Sequence, residues 1–172
     1  MRPFSRNILA ALLAAGFVLL LACSSSPPPV SAAASSPAAP PAGWKTVMND
    51  SKTCKLSLPP AWVQPDSDGM FGRTEKGEMA MFMEDEETQK AGNWGPVHRE
   101  IENKKAKGAK VEILEESPSR IIFQMPQGSV LAVMAFRRSP KTLCVVQIGV
   151  PAGDPASQKI ARQIADSLAP AP

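Results

Sequence analysis

The chain predicts an α+β domain, an antiparallel sheet covered by helices in an α/β/α sandwich, and three observations carry that expectation. Eight short runs of alternating apolar and polar residues lie between Trp44 and Val150. The last four are joined by the brief turn segments Glu116–Ser119, Pro126–Ser129 and Arg138–Lys141, which suit only antiparallel neighbours. Two further segments repeat their apolar residues at helical spacing, so each has one face to bury against the sheet.

In chain order, strands are predicted over Trp44–Met48, Cys54–Leu58, Met70–Thr74 and Met79–Glu84, which form two hairpin-like pairs. A helix from Gly95 or Pro96 to about Lys107 follows, with Asn93 upstream as a cap and Gly108 as its stop. Strands over Val111–Glu115, Arg120–Met125, Val130–Arg137 and Thr142–Val150 make a four-stranded meander. The last helix opens with Asp154 as N-cap and Pro155 as its first residue, and it carries an apolar stripe of Ile160, Ile164 and Leu168.

Within this order stand an initial Trp strand, a strand ending in Leu58-Pro59-Pro60-Ala61-Trp62, and a final helix ending Ile164-Ala165-Asp166-Ser167-Leu168. With these motifs, the order resembles the Mog1/PsbP-like fold. The resemblance spans nearly all of Trp44–Leu168. Members of that fold include a nuclear-transport regulator, photosystem accessory proteins and many bacterial lipoproteins, so the resemblance implies architecture and transfers no functional residue.

The first 22 residues have a different character. Arg2 and Arg6 precede an apolar stretch from Ile8 to Leu21, which ends in Leu20-Leu21-Ala22-Cys23. These are the parts of an export signal, and they resemble the lipoprotein signal-peptide family. The resemblance implies that Cys23 is lipidated and becomes the first residue after cleavage. Each acyl methylene adds ~0.8 kcal/mol of membrane affinity, so several chains hold the protein on the bilayer. Two alternatives stand beside this reading: an uncleaved transmembrane anchor, although about 14 apolar residues fall short of the ~18 to 20 needed to span, and ordinary cleavage among Ala32, Ala33 and Ala34.

The expected organisation is therefore a signal peptide over 1–22, the lipidated Cys23 with a Ser/Pro/Ala-rich linker over 23–43, and one globular domain over 44–172. The expected address is the cell envelope. Ser24 after the anchor would send the protein to the outer membrane, facing the periplasm, if the source has two membranes. Loss of Arg2 and Arg6 takes the formal charge from +3 to about +1, too close to neutral for a nucleic-acid partner.

Of the three cysteines, the anchor uses one, and Cys54 and Cys144 are left as a disulfide in an oxidising compartment. Cys54 shares a strand face with Leu56 and Leu58, and Cys144 shares one with Val146 and Ile148, so both point toward the core. Two buried free thiols are the bland alternative.

Little points to catalysis. His98 is the single histidine, and there is no tyrosine, no G-x-S-x-G, no H-E-x-x-H and no phosphate-binding glycine loop. No catalytic residue, cofactor or metal site is assigned, and His98 reads as a surface side chain. Met79-Ala80-Met81-Phe82-Met83 offers thioethers suited to Cu(I), but three methionines on one strand face also suit a core, and packing is the favoured expectation. Glu84–Glu87 and the lysines 104, 105, 107 and 110 read as solvated surface rather than a Ca²⁺ loop or an anion patch. The function expected is a non-enzymatic, lipid-anchored accessory domain with the membrane and an envelope protein as partners. A small-ligand or Cu(I)-binding lipoprotein is the alternative.

Overall fold

The computed structural model describes residues 39–64 and 70–172, and Cys23, the expected signal peptide and most of the expected linker lie outside them. The chain divides into two units, and the described residues all belong to the second, Ala32–Pro172. Nine strands occur among them: β1 (Lys45–Met48), β2 (Cys54–Leu58), β3 (Met70–Arg73), β4 (Glu78–Met83), β5 (Glu112–Ser117), β6 (Arg120–Gln127), β7 (Val130–Arg138), β8 (Leu143–Pro151) and β9 (Ala169–Pro170). The helices are α1 (Glu86–Ala91), α2 (Gly95–Ala106) and α3 (Pro155–Ser167), with a short 3₁₀ turn at Thr74–Lys76.

Six strands form one antiparallel sheet in the order β3-β4-β8-β7-β6-β5. The predicted meander supplies four of its strands, β5-β6-β7-β8, and the β3-β4 hairpin adds to β8. The other predicted hairpin, β1-β2, does not join this sheet. It makes a three-stranded sheet of its own, order β1-β2-β9, in which Pro170 and Ala169 of β9 pair with Cys54 and Lys55.

Over β6, β7 and the start of β8 both faces of the large sheet are covered, which explains why these strands read as nearly continuous apolar runs. On one face, Ile122, Leu131, Val133, Val146 and Ile148 pack with Leu56, Leu58 and Trp62, with Ala161 and Ile164 of α3, and with Leu168 just after it. On the other, Ile121, Phe123, Met134 and Phe136 pack under Trp94, Val97 and Ile101. Phe123 stacks on Phe136 with centroids 6.0 Å apart, and Trp94 meets Phe136 edge-on at 6.3 Å.

The predicted caps hold with one shift. Asp154 accepts from the Ala156 N–H at the start of α3, with Pro155 in the first turn. At α2 the capping position is Trp94; Asn93 acts one residue earlier by accepting from the Gly95 N–H at 2.8 Å. Gly108 ends the helix at φ +85°, a left-handed conformation that glycine adopts without strain. The Ala-Asp-Ser-Leu ending of α3 also has a structural cause. Ser167 Oγ accepts from the Ser57 N–H at 2.9 Å and donates to the Ile164 carbonyl at 2.7 Å, which pins the helix end to β2.

Cys54 and Cys144 are bonded as expected, joining β2 to β8 across the α3-side core. No helix among the described residues is long and apolar enough to cross a membrane.

Candidate functional site

Six of the eight methionines lie on one face of the large sheet, the face that carries α2. Directly paired residues share a face, and the rows run Met70–Met81–Gln147–Met134–Phe123 and Gly72–Met79–Gly149–Ala132–Met125. Met83 starts a third row with Val145 and Phe136. Helix α2 covers the β6-β7 half and reaches Val145, burying Met125 and Met134. Over β3 and β4 the same face is open: Met79 is 39% exposed and Met83 38%, while Met70 and Met81 are half-buried.

This corrects the packing expectation for Met79, Met81 and Met83. The residues of β4 that enter the core are those between them, with Ala80 buried and Phe82 packed against the α3-side cluster. Alternation along β4 holds as read, but the methionine parity faces away from α3 and beyond the reach of α2.

Between α2, the start of α1 and this sheet face lies a cleft of about 620 Å³. Its floor is Met83, Met125, Met134, Phe136, Val145 and Gln147. Its rim is acidic: Glu84, Asp85, Glu86, Glu87 and Glu100 stand against Arg99 and Lys104. Both cations are engaged within the rim, Arg99 with Glu87 and Lys104 with Glu100 at 3.2 Å. A second cleft of about 560 Å³ shares the stretch from Met83 to Glu86 and opens toward Asn49, Lys90 and Lys141.

The acidic run that read as a solvated connection is largely exposed, and it supplies the cap and first turn of α1, a helix that sequence reasoning missed. Asp85 caps it, accepting from the Thr88 N–H at 2.8 Å and from the Thr88 hydroxyl at 2.6 Å, and Gly92 ends it at φ +67°. The D-x-x-T and Gly spacing was the available signal, masked by a run of six residues too short to show a periodic stripe. Arg138 holds α1 and α2 in place. Its guanidinium donates to the Thr88 and Asn93 carbonyls at 2.9 and 3.0 Å and lies 4.6 Å over the Trp94 ring. Trp94 in turn donates its indole N–H to Ser117 at 2.7 Å.

His98 on α2 lies 3.1 Å from Glu116 of β5, at the partly exposed surface as expected. Among Lys104, Lys105, Lys107 and Lys110, the first two pair with Glu100 and Glu102 on their own helix. Among the described residues, no group of three or more His, Cys, Asp or Glu side chains is placed to hold a metal ion.

A buried carboxylate lies elsewhere. Glu78 on β4 is 1% exposed and receives a two-pronged contact from Arg73, while the Ser157 hydroxyl lies within hydrogen-bond reach of both Glu78 and Asp154. Burial pushes the Glu78 pKa up, but the hydrogen bonds from Arg73 and Ser157 outweigh it and hold the group below the usual glutamate value. Asp154 is also held low, chiefly by Ser157 and then by the Ala156 N–H. This set ties β3, β4 and α3 together.

No family model matches the chain, and no curated protein matches it. Among solved structures it is similar to cyanobacterial PsbP (CyanoP) from Synechocystis sp. PCC 6803, at 11% identity and TM-score 0.41 over 74% of this chain and 92% of that one. It is also similar to the Ran-binding protein Mog1p of Saccharomyces cerevisiae, at 13% identity and TM-score 0.40 over 73% and 94%. A protein of Bacteroides thetaiotaomicron gives 13% identity and TM-score 0.46, covering 73% of this chain but 48% of its own length. The first two are namesakes of the fold that the sequence resembles. All three scores lie below 0.5, so no activity or partner passes from them to this chain.

Proposed function

We propose that this protein is a lipid-anchored, non-enzymatic envelope component whose domain docks a segment of another envelope protein in the methionine-floored cleft. The anchor rests on the lipobox reading of Leu20–Cys23 and the linker that follows it. The observation that carries the docking role is the cleft itself. Methionine makes an apolar, deformable floor that accommodates varied side chains. The rim of five acids and two bases selects a basic segment with apolar anchors. A docking role also suits a chain with one histidine and no nucleophile motif.

Photo-crosslinking from membranes tests the reading. Gln127 lines the cleft and is exposed, so a photoreactive residue there should capture one dominant protein that the same probe at Glu75, on the 3₁₀ turn, does not. Reversing two rim charges, Glu84→Lys with Glu87→Lys, should abolish that product. Identical products from both positions, or a product indifferent to the reversal, would remove the cleft from the account.

A further inference from the structure

The open half of the methionine face has no role in the core and lies beside the cleft rather than within it, apart from Met83. Four thioethers stand there together. Met70 and Met81 are direct cross-strand partners on β3 and β4, a pairing that puts Cβ atoms about 4.5 to 5.5 Å apart. Met79 and Met83 flank Met81 at i−2 and i+2, each about 6.5 to 7 Å along the strand. An unbranched side chain with three rotatable bonds closes gaps of that size.

The surroundings keep the space clear. Met79 is paired with Gly72 on one side and Gly149 on the other, so no side chain stands beside it on either neighbouring strand. Its Cγ lies across Gly149, where an added Cβ would meet it at 3.3 Å. A solvent-facing strand ordinarily alternates apolar-in with polar-out. Here the outward positions of β4 are thioethers, leaving apolar surface in water that the fold does not cover.

We propose that Met70, Met81 and one or both of Met79 and Met83 form a site for a soft monovalent d¹⁰ cation, Cu(I) or its analogue Ag(I). Neutral sulfur donors favour such ions and offer little to Ca²⁺ or Mg²⁺. The domain's two cysteines are tied to each other, so sulfur ligation falls to methionine, which forms no disulfide under oxidising conditions. The acidic run that follows Met83 places negative charge next to the site, which favours a bound cation.

The test uses the full chain carrying Cys23→Ser, in detergent with its Cys54–Cys144 bond intact, so that no free thiol competes. Ag(I) titrated into protein labelled with ¹³C at the methionine methyls should saturate at one equivalent. The signals of Met70, Met81 and at least one of Met79 and Met83 should shift, with Met48 unmoved. Anaerobic Cu(I) competition with bicinchoninate should show at least a tenfold loss of affinity for Met81→Leu and none for Met125→Leu. No saturable binding, shifts shared equally with Met48, or binding retained by the Met70→Leu/Met79→Leu/Met81→Leu variant would overturn the site. The spectrum of the Cys23→Ser chain with all its methionines decides the matter even if that variant unfolds, and the crosslinking result stands apart from either outcome.

Discussion

Met125 and Met134 lie under α2 while Met79 and Met83, on the same sheet face, stand in water, and one side-chain type therefore has two consequences in one row of strands. Met125→Ala should cost about 2 to 5 kcal/mol because it opens a cavity, whereas Met83→Ala should cost under ~1 because solvent fills the space. Chemical denaturation of the two variants checks the difference. Oxidation follows the same exposure. Limited peroxide should convert Met79 and Met83 to sulfoxides before Met125 and Met134, and peptide mass spectrometry reads the order. Glu78 is the other residue with a decisive setting. Its lowered pKa means that its ionised form stabilises the fold above the ordinary glutamate value of about 4.3, and that this contribution is lost as pH falls through the lowered folded-state value. Glu78→Gln should destabilise by roughly 2 to 3 kcal/mol at pH 7, since it leaves Arg73 without its carboxylate. The gap between variant and parent should narrow on acidification; a gap constant from pH 7 to pH 3 would show that Glu78 contributes packing alone.

Among elements, β2 is held most ways. It pairs with β1 and β9, packs Leu56 and Leu58 into the α3-side core, receives Ser167 from the end of α3, and is bonded through Cys54 to β8. The disulfide closes a loop of 90 residues in sequence separation, worth about 4 to 5 kcal/mol in the chain-entropy model. Reduction should lower the melting temperature by many degrees, and alkylation of the unreduced folded protein should modify neither Cys54 nor Cys144. Stoichiometric labelling of both would remove the bond from the account. Strand and helix positions were largely legible, because each strand carries alternation or a continuous apolar run between turn residues, and α3 announces itself with Asp154-Pro155 and its apolar stripe. Helix α1 and strand β9 were the exceptions. Helix α1 depends on an Asp85 cap and on Arg138 reaching it from β7, and β9 has two residues, so neither generates a period of its own.

At the scale of the whole molecule, the proposal joins an anchor, a linker and a domain. Fatty-acid labelling should mark the mature protein, and Cys23→Ser should abolish both the label and membrane retention. Membrane association that persists without the label would favour the uncleaved anchor. The amino-acid sequence by itself determined the α+β class, the two hairpins and the meander, the caps of the last helix, and the pairing of Cys54 with Cys144. All of these follow from local periodicity, turn chemistry and the count of cysteines. Only the tertiary structure decided that β1-β2 leaves the main sheet to pair with β9, that α2 stops short of β4, and that Met79 and Met83 of β4 stand exposed. Alternation assigns residues to one side of a strand or the other. Which side is covered depends on where helices distant in the chain come to lie, and no residue of β4 records that.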